Sequence, residues 1–218
     1  MRGALTPYFE QAGVAIYYGD ACRIVHALTP SVVLTDPPYG IALENHGMVG
    51  SNGWSRVAGD FESDAVEHVL DWAEELSVPT IVFASPWKPW PGHWRNLIVW
   101  NKGGAVGGGG DVATCLKRSW ELIQVTRNRP MDVRQEAVWS HVQTQSMMTL
   151  HPTQKPESLI LRLVATFTSA TDVVLDPFMG SGTTLVACKR LGRKAIGIEL
   201  HEQYCEIAAK RLQQEALP

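Results

Sequence analysis

The chain has 218 residues, 45% of them hydrophobic and 19% charged, with a formal net charge of −3. That length matches one domain of about 100–200 residues, and no apolar run approaches the ~20 residues of a membrane-spanning helix, so no membrane partner is expected. The first residues, MRGALTPYFEQAG, lack the apolar core of a secretory signal, which makes the cytoplasm the expected compartment.

Strand-like runs alternate with helical patterns along the chain, the signature of a parallel α/β sheet. Val14–Tyr18 runs into Gly19-Asp20, and Ser31–Thr35 runs into Asp36-Pro37-Pro38-Tyr39. A helix is predicted over Asp64–Leu76, with Val66, Val69, Leu70 and Ala73 on one face, followed by strands at Thr80–Ala84 and Leu97–Trp100. The glycine-rich run Gly103–Gly110 reads as a hinge or loop, and Glu121–Thr126 as an antiparallel edge strand. A helix over Pro156–Phe167, a strand at Val173–Leu175, a helix over Gly182–Leu191, a strand at Ala195–Ile198 and a helix over Glu202–Gln214 complete the series.

In open parallel sheets ligands bind at the carboxyl ends of strands, so acids placed just there are candidates for function: Asp20, Asp36, Asp176 and Glu199. The first motif is Asp176-Pro-Phe-Met-Gly-Ser-Gly-Thr-Thr184, between a buried strand and an Ala/Leu/Val-rich helix. Its glycines allow a ligand to approach the backbone, and the helix start offers unpaired N–H groups. A phosphate-binding Walker loop needs Gly-Lys-Ser/Thr, and a dinucleotide fingerprint needs a third glycine where Leu185 stands. Both fail, which leaves a ligand carrying a carboxylate. Glu199, closing the next strand, suits the ribose hydroxyls of an adenosine ligand or, alternatively, a cap on the helix that starts near His201.

The second motif is Thr35-Asp36-Pro37-Pro38-Tyr39-Gly40. Two prolines stiffen the turn and remove two N–H donors, so a carboxylate and backbone carbonyls form a rigid acceptor surface beside an aromatic plane. A flipped-out nucleobase with an exocyclic amine fits that surface; a plain proline-rich turn is the other reading. The four cysteines show no C-x-x-C pair and the seven histidines no metal-ligand spacing, so reduced cysteines and no metal are expected.

Taken together, Asp36–Tyr39, then His151-Pro-Thr-Gln-Lys-Pro156, then Asp176–Thr184, with Gly197-Ile-Glu-Leu200 behind, resemble the β-class amino DNA methyltransferases in which these motifs occur in that order. The resemblance runs from Val14 to Leu212. It implies a Rossmann-like α/β fold, a mostly parallel seven-stranded sheet with helices on both faces and a permuted motif order, over a single domain spanning 1–218. It further implies an S-adenosylmethionine-dependent enzyme acting on DNA, with small target-recognition insertions around 41–60 and 102–150. In such an enzyme Asp36, Pro37, Pro38 and Tyr39 are catalytic. Asp176, Phe178, Gly180, Ser181, Gly182 and Thr183 embrace the methionine part of the cofactor, Glu199 its ribose and Asp20 its adenine amine. Thr153 and Lys155 complete the wall, Lys155 as a partner for the methionine carboxylate.

An exocyclic amine is a poor nucleophile, and paired acceptors that pull its nitrogen toward tetrahedral geometry help it attack a sulfonium methyl. Cytosine C5 chemistry needs a nucleophilic cysteine, typically after proline, and no cysteine here follows one. Within the resembled family a leading Asp accompanies adenine N6 more often than cytosine N4, so adenine N6 is expected. Cytosine N4, or a non-catalytic subunit of a modification complex, are the alternatives. Between Lys88 and Arg134 eight basic residues stand against three acids, and Arg118 and Arg127 are the candidate DNA contacts. The cluster Trp87, Trp90 and Trp94 reads either as local packing or as a nucleic-acid stacking surface. A homodimer is expected, since a second copy extends a modest basic surface.

Overall fold

A computed structural model describes residues 5–38, 63–103, 119–126, 135–142 and 155–214. Tyr39, Arg118, Arg127 and Thr153 lie outside the described residues, as do the 41–60 insertion, residues 104–118, 127–134 and 143–150 of the second insertion, and the glycine-rich run beyond Gly103. The elements in chain order are β1 (Phe9–Gln11), β2 (Val14–Tyr18), α1 (Ala21–Ile24), β3 (Val32–Thr35), α2 (Ser63–Glu75), β4 (Thr80–Ala84), β5 (Asn96–Asn101), β6 (Trp120–Val125) and β7 (Val138–Ser140). They are followed by α3 (Glu157–Phe167), β8 (Val173–Asp176), α4 (Thr183–Arg190), β9 (Lys194–Glu199) and α5 (Glu202–Gln214).

Among the described residues nine strands form one sheet in the order β1-β2-β9-β8-β3-β4-β6-β5-β7. Only β1 and β6 oppose the common direction. The expected count is seven; the two extra strands are three-residue edge additions. β1 folds back on β2 through Ala12 and Gly13, with φ of 51° and 79°, a two-residue turn of the kind that matches strand twist. Alanine at the first of those positions is an uncommon turn residue, which hides the hairpin from a sequence reading. β6 is antiparallel as expected but is not an edge. It sits between β4 and β5 because β5 pairs along its far side, and the short β7 takes the outer place.

Strand alternation sorts the core onto two faces. Leu34, Phe83, Ile98, Trp100, Ile123 and Val174 pack against Leu159, Leu163 and Phe167 of α3, Leu185 of α4 and Ala208 of α5. On the other face Val33, Leu175 and Ile198 meet Ala21 of α1 and Val69, Trp72 and Ala73 of α2, while Val82 and Ala84 meet Val66 and Leu70. The chain moves outward in opposite directions from β8 to β9 and from β3 to β4, so the crevice between β8 and β3 is the topological switch point. No described helix is long and apolar enough to cross a membrane.

Candidate active site

The carboxyl ends of β3 and β8 bring the two motifs together across 141 residues of sequence. Thr35 Oγ1 donates to Asp176 Oδ1 at 2.8 Å, and the Phe178 N–H donates to the same oxygen at 3.2 Å. Asp176 is 3% exposed, and burial pushes its carboxyl up to about 7. Hydrogen bonds from Thr184, Thr35 and the Phe178 backbone pull it partly back, and the nearby charge of Asp36 pushes it further up.

The rest of the loop is braced from two sides. Gly180 N–H donates to Glu199 Oε2 at 3.0 Å, and Arg211 on α5 donates to Ser181 O at 2.6 Å and to Thr183 Oγ1 at 3.2 Å. Gly182, at φ +77°, lies so close to α5 that a Cβ there would come within 2.7 Å of Ala208 Cβ. The turn therefore needs glycine for both conformation and space.

Asp36 follows β3 directly and its carboxylate is 24% exposed. Lys155 Nζ, 7% exposed, lies 2.7 Å from Asp36 Oδ2 and 3.3 Å from Glu121 Oε2; Glu121 in turn pairs with Lys102. Burial disfavours the charge on Lys155, but the carboxylates of Asp36 and Glu121 outweigh it and hold the ammonium above the ordinary lysine range. Burial likewise penalises the Glu121 carboxylate, and Lys155 and Lys102 overcome that and hold it below its usual range. Nζ of Lys155 also lies 5.2 Å from the centre of the Phe83 ring, an arrangement favourable to a cation. The partner expected for Lys155 from the sequence is a cofactor carboxylate; in this structure its ammonium is shared between two side-chain carboxylates.

Glu199 and Asp20 close the neighbouring strand ends. Glu199 is 9% exposed, and its two oxygens accept from Gly180 N–H and, at 2.8 Å, from His201 N–H. Burial raises its carboxyl above the ordinary range despite those donors. It thus ties the motif loop to the start of α5. Asp20 caps α1, accepting from Cys22 N–H at 2.9 Å, and stands 3.5 Å from Arg23 Nε. Gly19 N–H donates to Glu199 O at 2.9 Å, which places the two acids on adjacent strand ends.

Asp36, Lys155, Asp176, Phe178, Gly180, Ser181 and Thr183 line one pocket of about 60 Å³, floored by Ile160 and Met179. A larger depression, about 260 Å³, lies at the opposite edge of the sheet around Pro79, Thr80 and His93 and holds none of the motif residues. The residues of both motifs line the smaller one. Helix α4 opens onto it with no side-chain cap on its first turn, so its N–H groups and dipole face the pocket. That end suits the carboxylate of an amino acid moiety, and the acids at Glu199 and Asp20 suit the hydroxyls and amine of a nucleoside beyond it. These residues fit S-adenosylmethionine. Among the described residues no group of three or more His, Cys, Asp or Glu is placed to hold a metal ion.

The sequence points to Asp36, Lys155 and the Asp176–Thr183 loop as one site and includes Thr35 in the motif without its bond to Asp176, but gives no role there to Lys102, Glu121 or Arg211. Two of these left a signal. Glu121 shares its strand face with Ile123 and Val125, an inward position where a charge needs a partner. Arg211 follows Ala208 by three residues on α5, on the buried side of that helix.

An α/β sheet with two acid-bearing loops meeting at its switch point is a ligand-binding arrangement. The model of the N6/N4 methyltransferase family, DNA methylase, matches residues 98–210, and the chain belongs to that family. It is 24% identical to the type II methyltransferase M.ScaI of Streptomyces caespitosus over 96% of this chain and 84% of that one. Identity with M2.DpnII of Streptococcus pneumoniae is 55%, over 30% of this chain and 24% of that one. For M.HinfI of Haemophilus influenzae it is 33%, over 55% and 39%. Among solved structures, an M1.HpyAVI–SAM complex superposes with a TM-score of 0.66 at 24% identity, covering 91% of this chain and 98% of that one. The cytosine-N4-specific PvuII DNA methyltransferase superposes with 0.67 at 14% identity, covering 99% and 92%. These two likenesses establish the fold.

Proposed function

We propose that the chain transfers a methyl group to the exocyclic N6 of an adenine turned out of a DNA strand. The methyl donor is S-adenosylmethionine, which supplies an electrophilic methyl on a sulfonium when bound. The observation that carries the reading is the meeting of Asp36 and the Asp176–Thr183 loop around one pocket, with Asp36 held 2.7 Å from the buried Lys155.

In this mechanism the uncapped start of α4 and the loop after β8 hold the amino acid end of the donor, while Glu199 and Asp20 hold its nucleoside. Thr153 completes that wall. Asp36 and the Pro37 carbonyl accept the two hydrogens of the base amine and draw its lone pair out of the ring, toward the donor methyl. Tyr39 stacks on the base. Lys155 fixes the orientation of the Asp36 carboxylate, which takes the proton that the nitrogen loses once the methyl has left the sulfonium for the amine. Arg118 and Arg127 contact the phosphates, and two copies of the chain share the DNA surface.

The test is nucleoside mass spectrometry of DNA incubated with the protein and labelled donor. N6-methyladenine is expected; N4-methylcytosine alone would replace the adenine reading, and no methylated base at all would favour a cofactor-binding subunit. Asp36→Ala should lower methyl transfer by ~10²–10³ while cofactor affinity, read by calorimetry, stays near wild type. A variant with unchanged kcat would remove Asp36 from the chemistry.

A further inference from the structure

Three tryptophans follow β4, and the fold separates them. Trp90 is 3% exposed; its indole N–H donates to Phe83 O at 3.0 Å and its backbone N–H to Gln124 Oε1 at 2.8 Å. The indole of Trp94 donates to the Trp90 carbonyl at 2.9 Å. These two pack the protein. Trp87 behaves differently: it is 66% exposed, on a tight turn where Lys88 N–H donates to Ser85 O at 3.1 Å and Trp87 N–H to Ser85 Oγ at 3.3 Å. Its ring meets that of Trp120, the first residue of β6 and itself 39% exposed, with centroids 6.3 Å apart and planes inclined by 30°.

The place of this pair in the sheet points to its use. Thr35 is in register with Val82, and Ala84 with Leu122, so Asp36, Trp87 and Trp120 rise from the adjacent strands β3, β4 and β6 at the same carboxyl edge. Alternation along β6 sends Glu121 into the ion-pair network with Lys155 and Trp120 to the opposite face. Trp120 is thus on the sheet face away from Glu121 and Lys155, beyond the level of Asp36 along the strands. Lys88, exposed beside Trp87, adds a positive charge. Two exposed aromatic rings tilted by 30°, with a cation beside them, suit a nucleic-acid strand, in which each base offers a π-face and each phosphate a charge.

We infer that Trp87 and Trp120 form a stacking platform for an unstacked nucleobase of the DNA strand presented to Asp36. This rests on the DNA reading above and adds a base subsite to it. Stacking tolerates any base, so the platform holds the strand without reading sequence.

The experiment compares a labelled oligothymidylate strand with an abasic strand of equal length, which keeps the phosphates and lacks the bases. The wild-type protein should bind the thymidylate strand about ten-fold or more tightly. Trp87→Leu/Trp120→Leu should abolish that preference and Trp87→Phe/Trp120→Phe should keep most of it, with the salt dependence alike in all three. Cofactor affinity and melting temperature report that each variant is folded. A leucine pair that retains the base preference overturns the platform. So does a leucine pair that retains it while a dimer falls apart in sedimentation, which would make the indoles a contact between copies. A wild-type protein that methylates DNA yet shows no base preference overturns the platform alone, whereas one that neither binds nor methylates DNA overturns the DNA reading with it.

Discussion

A buried lysine between two carboxylates is stable only while both stay ionised, and here one of the two belongs to the proposed catalytic residue. Lys155 thus couples Asp36 to Glu121, whose Oε2 lies 3.3 Å from its Nζ. Glu121→Gln removes one of the carboxylates that hold the ammonium above its usual range, so the lysine should lose its proton at lower pH. The alkaline limb of the kcat/KM profile should then move toward neutral pH, with the donor KM little changed; a profile that keeps its limb would make Glu121 a structural ion pair only. Asp176 titrates in the opposite sense. Its carboxyl is raised from 3.8 to about 7, so across that interval the folded protein keeps a proton that the unfolded chain releases. Stability contributed by this group is present at low pH and lost as pH rises to about 7. Melting temperature measured against pH should show this decline, and Asp176→Asn, which has no proton to lose, should flatten it.

At the level of elements the site depends on a loop and two helix starts that hold one another. Glu199 ties the Gly180 N–H to the His201 N–H, and Arg211 reaches back from α5 to Ser181 and Thr183. Gly182→Ala should destabilise the protein by about 1–3 kcal/mol, since the new methyl meets Ala208 and the positive φ is strained for alanine. Urea denaturation measures the loss, and Ala208→Gly in the same chain should recover the part due to contact but not the part due to φ. Most of this arrangement is legible in the sequence, because β2, β4 and α5 coincide with runs whose apolar spacing matches their period. The missed elements carry weak signals for physical reasons. β1 and β7 have three residues each, too few to display alternation, and α1 is a single turn. The place of β6 inside the sheet depends on β5 pairing along its other side, a long-range choice that no local pattern records. The partners of Lys155 are hidden for the same reason: Asp36, Glu121 and Lys155 come from three separate segments that only the sheet order brings together.

At the scale of the whole molecule, the charge must be reconciled with a polyanionic substrate. A chain of net charge −3 is repelled by DNA at long range unless its positive groups are gathered on one side. The stretch from Lys88 to Arg134 carries eight of the basic residues against three acids. It begins right after Trp87 and includes the strands β5 and β6 and Lys102 in the ion-pair network. In sequence Arg118 precedes β6 and Arg127 follows it, and β6 is a central strand and not the edge strand that the sequence predicts. DNA binding carried by such arginines should weaken steeply with salt, because each phosphate neutralised releases counterions. Arg118→Ala/Arg127→Ala should lower affinity for all sequences alike and reduce the slope of log affinity against log salt by roughly 2, about one for each arginine taken off a phosphate. Donor binding, proposed for the Asp176–Thr183 loop, should stay at its wild-type value. Fluorescence anisotropy over a salt series reads both affinity and slope. A double variant with the original affinity and slope would move the phosphate-binding surface off this pair, making the 41–60 insertion, which follows the catalytic turn and carries Arg56, the surface to probe next.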